Sequence, residues 1–200
     1  MSFSSEVKAE LAKNISNARH CRIAELSGMT SMVADVWYRN GSLFKLCITT
    51  ERSIIAKTMA SLIKVLFDIR MECSVKRTGS NSRIYRMVLD RPDEIERMLQ
   101  TLKLSPDFRI SQKGVTKVSC QDMTVNRMVV QQQCCKRAFI KGVFMTSGSV
   151  SDPKKGYHLE IVCDNEDRAG MIEKIMAELD IESRIIARKK YSVCYIKDGT

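Results

Sequence analysis

Eight cysteines and two histidines are the residues of this 200-residue chain best suited to metal or nucleophile chemistry. The cysteines are Cys21, Cys47, Cys73, Cys120, Cys134, Cys135, Cys163 and Cys194, and no two stand in a C-x-x-C pair. Neither His20 nor His158 has a ligand partner at the spacing of a zinc motif. Both histidines read as structural or surface residues, and no metal or cofactor is expected. Cys47 and Cys163 fall inside apolar runs (Phe44-Lys45-Leu46-Cys47-Ile48 and Leu159-Glu160-Ile161-Val162-Cys163), where a free thiol packs as a small hydrophobe. Cys134-Cys135 precedes Lys136 and Arg137, and adjacent cations lower a thiol pKa. Burial of at least one of that pair is nevertheless the expected role. Signatures for nucleotide binding or serine hydrolysis are absent from the sequence. The opening Met1-Ser2-Phe3-Ser4-Ser5-Glu6-Val7-Lys8 lacks the order of a signal peptide. Reduced thiols in a cytoplasmic protein are therefore expected.

The other chemistry in the sequence is polyanion binding. Thirty-three Lys and Arg against 23 Asp and Glu give a net charge of +10, which favours nucleic acid through counterion release. No apolar run reaches the length of a membrane span, so a membrane is not expected as a partner. Two segments concentrate the charge. Residues 70–91 hold Arg70, Lys76, Arg77, Arg83, Arg86 and Arg91 against Glu72 and Asp90. Residues 182–198 hold Arg184, Arg188, Lys189, Lys190 and Lys197 against Glu182 and Asp198. Over 183–190, Arg184, Ile186, Arg188 and Lys190 alternate onto one strand face, away from Ile185 and Ala187. The candidate contacts to double-stranded DNA are Lys76, Arg77, Arg83, Arg86, Arg184, Arg188 and Lys190. The competing reading is a sheet edge guarded against aggregation by Lys and Arg. Tyr85, Tyr191 and Tyr195 are too few to favour base stacking on single strands over backbone contact with duplex.

The elements that must position these residues follow from periodicity. Val7, Leu11 and Ala12 predict a short helix over 5–13, capped by Ser4 or Ser5. A helix over 18–34 precedes strands 36–39 and 43–49, which flank Asn40-Gly41, a strong hairpin signal. In the second strand Phe44, Leu46 and Ile48 share one face, and Lys45, Cys47 and Thr49 the other. A helix from Thr50-Glu51 to Phe67 carries the stripe Ile54, Ile55, Met59, Leu62, Ile63, Leu66. Strands 71–77 and 83–89 flank Thr78-Gly79-Ser80-Asn81, and Pro92 opens a helix to Leu102. The pattern then recurs: helix 131–147, strands 149–151 and 157–163, helix 165–179, strands 183–189 and 192–196. Gly28 falls on Gly142 and Leu43 on Tyr157 at an offset of 114, and Phe67-Asp68-Ile69 on Leu179-Asp180-Ile181 at an offset of 112. This predicts an α+β fold: a pseudo-two-fold pair of αββαββ units in one domain over 1–200. The first half spans about 18–102 and the second about 131–198, joined by 103–130, a segment partly helical near its end.

Gly28 and Gly142 each interrupt the first helix of a half. A mid-helix glycine costs about 1 kcal/mol relative to alanine, and close backbone approach is a reason to carry it. The two helices are expected to pack together at these glycines. Ile140-Lys141-Gly142-Val143-Phe144-Met145-Thr146-Ser147-Gly148-Ser149 resembles the LAGLIDADG motif of homing endonucleases. Leu26-Ser27-Gly28-Met29-Thr30-Ser31-Met32-Val33-Ala34 is a weaker copy. The resemblance implies central helices at the interface of the halves, strands that form a saddle on DNA, and a metal-binding acid at the eighth position of each motif. Val33 and Ser147 occupy those positions here. Metal-assisted hydrolysis needs anionic oxygen ligands; valine offers none and serine a poor substitute. Asp35 and Asp152 read as turn or strand-end residues, so no catalytic residue is assigned.

A narrower resemblance covers essentially the whole chain. Met1–Leu11, Cys21-Arg22-Ile23-Ala24-Glu25-Leu26, Arg137–Phe144 followed by Gly148-Ser149-Val150-Ser151-Asp152-Pro153, and Tyr195-Ile196-Lys197-Asp198-Gly199 are similar to the WhiA family of Gram-positive sporulation and cell-division regulators. That resemblance implies a non-catalytic LAGLIDADG-like domain followed by a C-terminal helix-turn-helix that makes the main DNA contacts. The helix-turn-helix is absent from this sequence. Two alternatives stand beside this reading. One is a protein-interaction module that positions the separate helix-turn-helix or recruits another regulatory protein. The other is a surviving metal-dependent endonuclease.

Overall fold

The computed structural model describes residues 2–79, 82–107 and 110–197. Helix α1 (Phe3–Lys13) precedes α2 (Arg19–Val33), β1 (Ala34–Arg39), β2 (Ser42–Thr50), α3 (Ser53–Phe67), β3 (Glu72–Arg77), β4 (Arg83–Leu89) and α4 (Pro92–Leu102). Three short strands follow, β5 (Leu104–Pro106), β6 (Val115–Val118) and β7 (Met123–Val125). The second unit is α5 (Gln133–Ser147), β8 (Gly148–Val150), β9 (His158–Cys163), α6 (Glu166–Ala177), β10 (Arg184–Arg188) and β11 (Tyr191–Lys197). None of these helices is long and apolar enough to cross a membrane.

Local chemistry sets most of the boundaries. Asn40 and Gly41 both take positive φ, 49° and 79°, as a type I′ turn between twisted strands requires. Asp68 ends α3 in the left-handed region at φ 57°, and Asp180, its counterpart after α6, takes φ 60°. Helix α1 is capped by Ser2, whose side chain accepts from Ser5 N, and not by Ser4 or Ser5. Ser4 is buried instead, and its hydroxyl accepts from Val150 N at 3.4 Å, which ties α1 to the second unit. The Ser80-Asn81 part of the expected turn lies outside the described residues.

Two large antiparallel sheets result, ordered β3-β4-β2-β1-β6 and β10-β11-β9-β8, beside a two-stranded pair of β5 and β7. Strand β6 comes from the segment expected only to join the halves, and it pairs with β1 from Val36↔Val118 to Arg39↔Val115. The β-branched residues Val115, Thr116 and Val118 make a short strand run that the neighbouring Pro106 and Gly114 obscured. Each large sheet turns one face to the helices. Leu46, Ile48, Met87 and Leu89 line that face in the first sheet and Ile161, Cys163 and Cys194 in the second, all buried. Ile55, Met59, Leu62 and Ile63 of α3, and Ile172, Ile175 and Met176 of α6, cover them. Helices α2 and α5 make the most extensive contact between any two elements, so they form the axis of the molecule.

Candidate nucleic-acid interface

The axis is a close backbone contact. A Cβ on Gly28 would lie 2.5 Å from the Phe139 carbonyl oxygen and 3.2 Å from Val143 N. A Cβ on Gly142 would lie 2.1 Å from the Glu25 carbonyl oxygen and 3.1 Å from Met29 N. Phe139 and Val143 are Glu25 and Met29 advanced by 114, so the two contacts are the same contact repeated across the pseudo-two-fold. Beside it the buried Glu25 Oε1 lies 2.9 Å from Lys141 Nζ, a charge contact whose angle gives that oxygen no aligned hydrogen bond. Burial pushes the Glu25 carboxyl above its ordinary pKa, and Lys141 opposes that shift.

The helices end at Val33 and Ser147, and the chain passes directly into β1 and β8. Val33 is half-buried against the core, and Ser147 is half-buried. Asp35 is the second residue of β1 and lies 2.8 Å from Lys117 Nζ of β6. Asp152 accepts from Lys154 N at 3.0 Å, as a turn cap. Near this end Arg168 of α6 is buried and donates to three carbonyls: Ser31 O at 3.0 Å, Cys120 O at 2.8 Å and Met123 O at 2.5 Å. One guanidinium therefore ties the last turn of α2, the segment between the halves and α6 together. Burial lowers its pKa from the ordinary arginine value.

The faces of the sheets turned away from the helices follow from register. In the first sheet Asp35, Trp37, Lys45, Cys47, Thr49, Lys117, Arg86 and Lys76 share the outer face. Lys45 and Lys117 flank Trp37, with Nζ 5.1 Å and 5.5 Å from its ring centroid. Arg86 Nε donates to Cys47 Sγ at 3.2 Å. Arg77 and Arg83 pair with each other on the opposite face, which carries Met87 and Leu89 to the helices. The four candidate cations of this hairpin therefore do not form one surface, because alternation sends neighbours to opposite sides. Lys45 and Lys117, which charge clustering overlooked, complete the outer face instead.

In the second sheet Arg184, Ile186 and Arg188 share the outer face with Tyr195, Val193 and Tyr191. Glu160 stands in the same face, 2.7 Å from His158 Nε2 and 3.4 Å from Arg188 Nη2. Lys190 is not in the strand. β10 stops at Arg188, and Lys189, at φ 57°, turns the chain so that Lys190 lies in the loop over the Tyr191 ring.

At the other end of α2 and α5, His20, which has no partner at zinc-motif spacing along the sequence, has cysteines beside it in the fold. His20 Nδ1 lies 3.2 Å from Cys135 Sγ and 3.4 Å from Cys21 Sγ. Cys135 is buried and Cys134 exposed. Burial, reinforced by Cys134 and Cys21, pushes the Cys135 thiol up to about 11, opposite to the effect that Lys136 and Arg137 suggested.

Paired glycine-bearing helices between two antiparallel sheets define a LAGLIDADG-like protein, and solved structures share that fold. The homing endonuclease I-DmoI, in complex with DNA and Mn, matches with TM-score 0.56 and 15% identity over 90% of this chain and 91% of that one. Full-length WhiA from Thermatoga maritima matches with TM-score 0.71 and 20% identity over 99% of this chain and 58% of that one. Two family models match the sequence: the WhiA N-terminal LAGLIDADG-like domain over residues 19–105 and the WhiA LAGLIDADG-like domain over residues 136–200. The chain belongs to the WhiA family. It is similar to the probable cell division protein WhiA of Lachnoclostridium phytofermentans, at 37% identity over 100% of this chain and 62% of that protein. The corresponding protein of Lachnospira eligens is 35% identical, over 100% of this chain and 60% of that protein. The chain thus spans about three fifths of the length of these relatives.

Proposed function

We propose that this chain is a duplex-binding, non-cleaving part of a bacterial transcription regulator acting in cell division and sporulation. The observation that carries the reading is that Val33 and Ser147 are the last residues of α2 and α5, beside sheets whose outer faces keep Lys45, Lys117, Arg86, Lys76, Arg184 and Arg188. Metal-assisted phosphodiester hydrolysis needs carboxylates where the helix ends converge, and valine and serine stand there. Phosphate contact needs only cations on a surface of suitable shape, which gives affinity without sequence reading.

Sequence-specific reading is assigned to a helix-turn-helix in the part of the longer relatives that this chain does not span. The pseudo-dimer is internal, so a monomer supplies both sheets, and the site of action is the nucleoid in the cytoplasm. The test is incubation of supercoiled plasmid with the chain and Mg²⁺ or Mn²⁺. The plasmid is expected to stay covalently closed. Nicked or linear product that disappears with a chelator would overturn the non-cleaving reading.

A further inference from the structure

His20 and Cys21 lie in the first turn of α2, and Cys134 and Cys135 in the first turn of α5. The two pairs are related by the same offset of 114 that relates Gly28 to Gly142. The pseudo-two-fold therefore carries one position onto the other and brings the pairs face to face. Their four ligand atoms all lie within 4.8 Å of one another, the one such convergence of three or more His, Cys, Asp or Glu ligands among the described residues.

The distances have the scale of a coordination shell. A tetrahedral ion with metal–sulfur bonds of about 2.3 Å and metal–nitrogen bonds of about 2.0–2.1 Å sets nitrogen–sulfur edges of about 3.6 Å. His20 Nδ1 lies 3.2 Å from Cys135 Sγ, 3.4 Å from Cys21 Sγ and 3.9 Å from Cys134 Sγ, on both sides of that value. Three sulfurs and one imidazole form a soft donor set, which selects zinc over magnesium or calcium. Cys21 and Cys135 are buried, while His20 and Cys134 are exposed, so an ion can enter from solvent and be held from inside.

We propose that His20, Cys21, Cys134 and Cys135 form a Cys₃His zinc site that clamps the N-terminal ends of α2 and α5. Four protein ligands leave no open position, so the site is structural and not hydrolytic. Uptake of Zn²⁺ replaces the thiol protons of Cys21, Cys134 and Cys135, which leave to solvent, and uses a neutral imidazole nitrogen. The clamp fixes how the halves, and hence their two outer sheet faces, sit relative to each other. It does so whether or not those faces bind DNA.

The test uses the whole 200-residue chain, reduced and stripped of metal, titrated with Co²⁺. One equivalent is expected to give tetrahedral visible bands and an intense thiolate-to-cobalt band in the near ultraviolet, displaced by one equivalent of Zn²⁺. Loss of partners outside the ligand shell alone weakens metal sites about 10–100-fold, so Cys134→Ser and His20→Ala are each expected to lower zinc affinity by at least about tenfold. Cys73→Ser, at an exposed cysteine outside the cluster, should change nothing. Circular dichroism confirms that each variant is folded. A fully reduced chain without these bands, or bands equally strong in Cys134→Ser and His20→Ala, would overturn the site. So would a disulfide joining these cysteines in a chain that takes up no Co²⁺ once reduced.

Discussion

Gly142 stands where any side chain would strike the backbone of the partner helix: its Cβ would lie 2.1 Å from the Glu25 carbonyl oxygen. The obstacle is backbone, which cannot swing aside, so the helices must separate. Overpacking costs typically 1–3 kcal/mol or more, against about 1 kcal/mol of helix propensity regained by alanine. With a backbone clash taken at the upper part of that range, the net loss is about 1–2 kcal/mol, so Gly142→Ala is expected to lower Tm by roughly 2–8 °C, at about 2–4 °C per kcal/mol for a chain of this size. Gly28→Ala, with its nearest approach at 2.5 Å, should cost less. Differential scanning calorimetry measures both, and unchanged Tm in the two variants would contradict the close packing.

Arg168 offers the second test. Removing a buried charged donor leaves the carbonyls of Ser31, Cys120 and Met123 without it. Arg168→Met is expected to destabilise by roughly 3–5 kcal/mol, since each bond to a charged donor contributes well over the neutral average. Arg168→Lys should recover only part, because one ammonium does not reproduce the guanidinium fork. Urea unfolding midpoints report the order, and equal midpoints for all three proteins would remove Arg168 from its anchoring role.

Lys8 gives a pH-dependent prediction. Its side chain is buried beside Phe144, with Nζ 5.4 Å from the ring centroid. Burial first, then Arg52, lowers its pKa from 10.5 to about 8. The unfolded chain therefore holds the Lys8 proton more tightly than the folded one. This destabilising contribution is fully present below about pH 8 and fades as pH rises toward 10.5. Lys8→Met is expected to be more stable at pH 7 by up to roughly 2–3 kcal/mol, less about 1 kcal/mol for removal of the cation–π interaction. The advantage should shrink between pH 8 and 10. Comparing the two proteins isolates Lys8 from thiols such as Cys120 and Cys163, both pushed up to about 12. An advantage constant across that range would contradict the depressed pKa.

Features set by local chemistry are readable from the residues. Asn40-Gly41 dictates its own turn, and Pro92 starts α4 because its missing N–H is unneeded there. The offset between Gly28 and Gly142 locates the axis from the residues alone. Strand partners are less accessible, since register across sheets decides them. Lys76 and Arg77 are adjacent in sequence yet face opposite sides, and Lys117 joins the outer face through a strand concealed between the halves. The cluster at His20 escapes because metal-motif spacings compare residues within one segment. Carrying His20-Cys21 through the offset already used for the glycines lands on Cys134-Cys135, a signal present in the sequence but read only for packing.

Cations on the outer face should act by side and not by proximity. Lys45→Ala with Lys117→Ala should weaken duplex binding and reduce the salt slope by roughly two, about one for each phosphate no longer neutralised. Arg77→Ala with Arg83→Ala, on the other face, should change the slope by less than half of that. Equal effects from the two pairs would mean that charge, and not the surface, governs binding.

A basic double-sheet surface that holds duplex DNA should show itself in fluorescence anisotropy of a labelled duplex titrated with this chain over a salt series. Low-micromolar binding is expected at low salt, weakening steeply as salt rises. That binding should be clearly lost when Lys45, Lys117, Arg184 and Arg188 are replaced together in a protein that remains folded. Absence of binding at low salt, or binding unchanged by the fourfold replacement, would contradict it and leave the chain as an interaction platform.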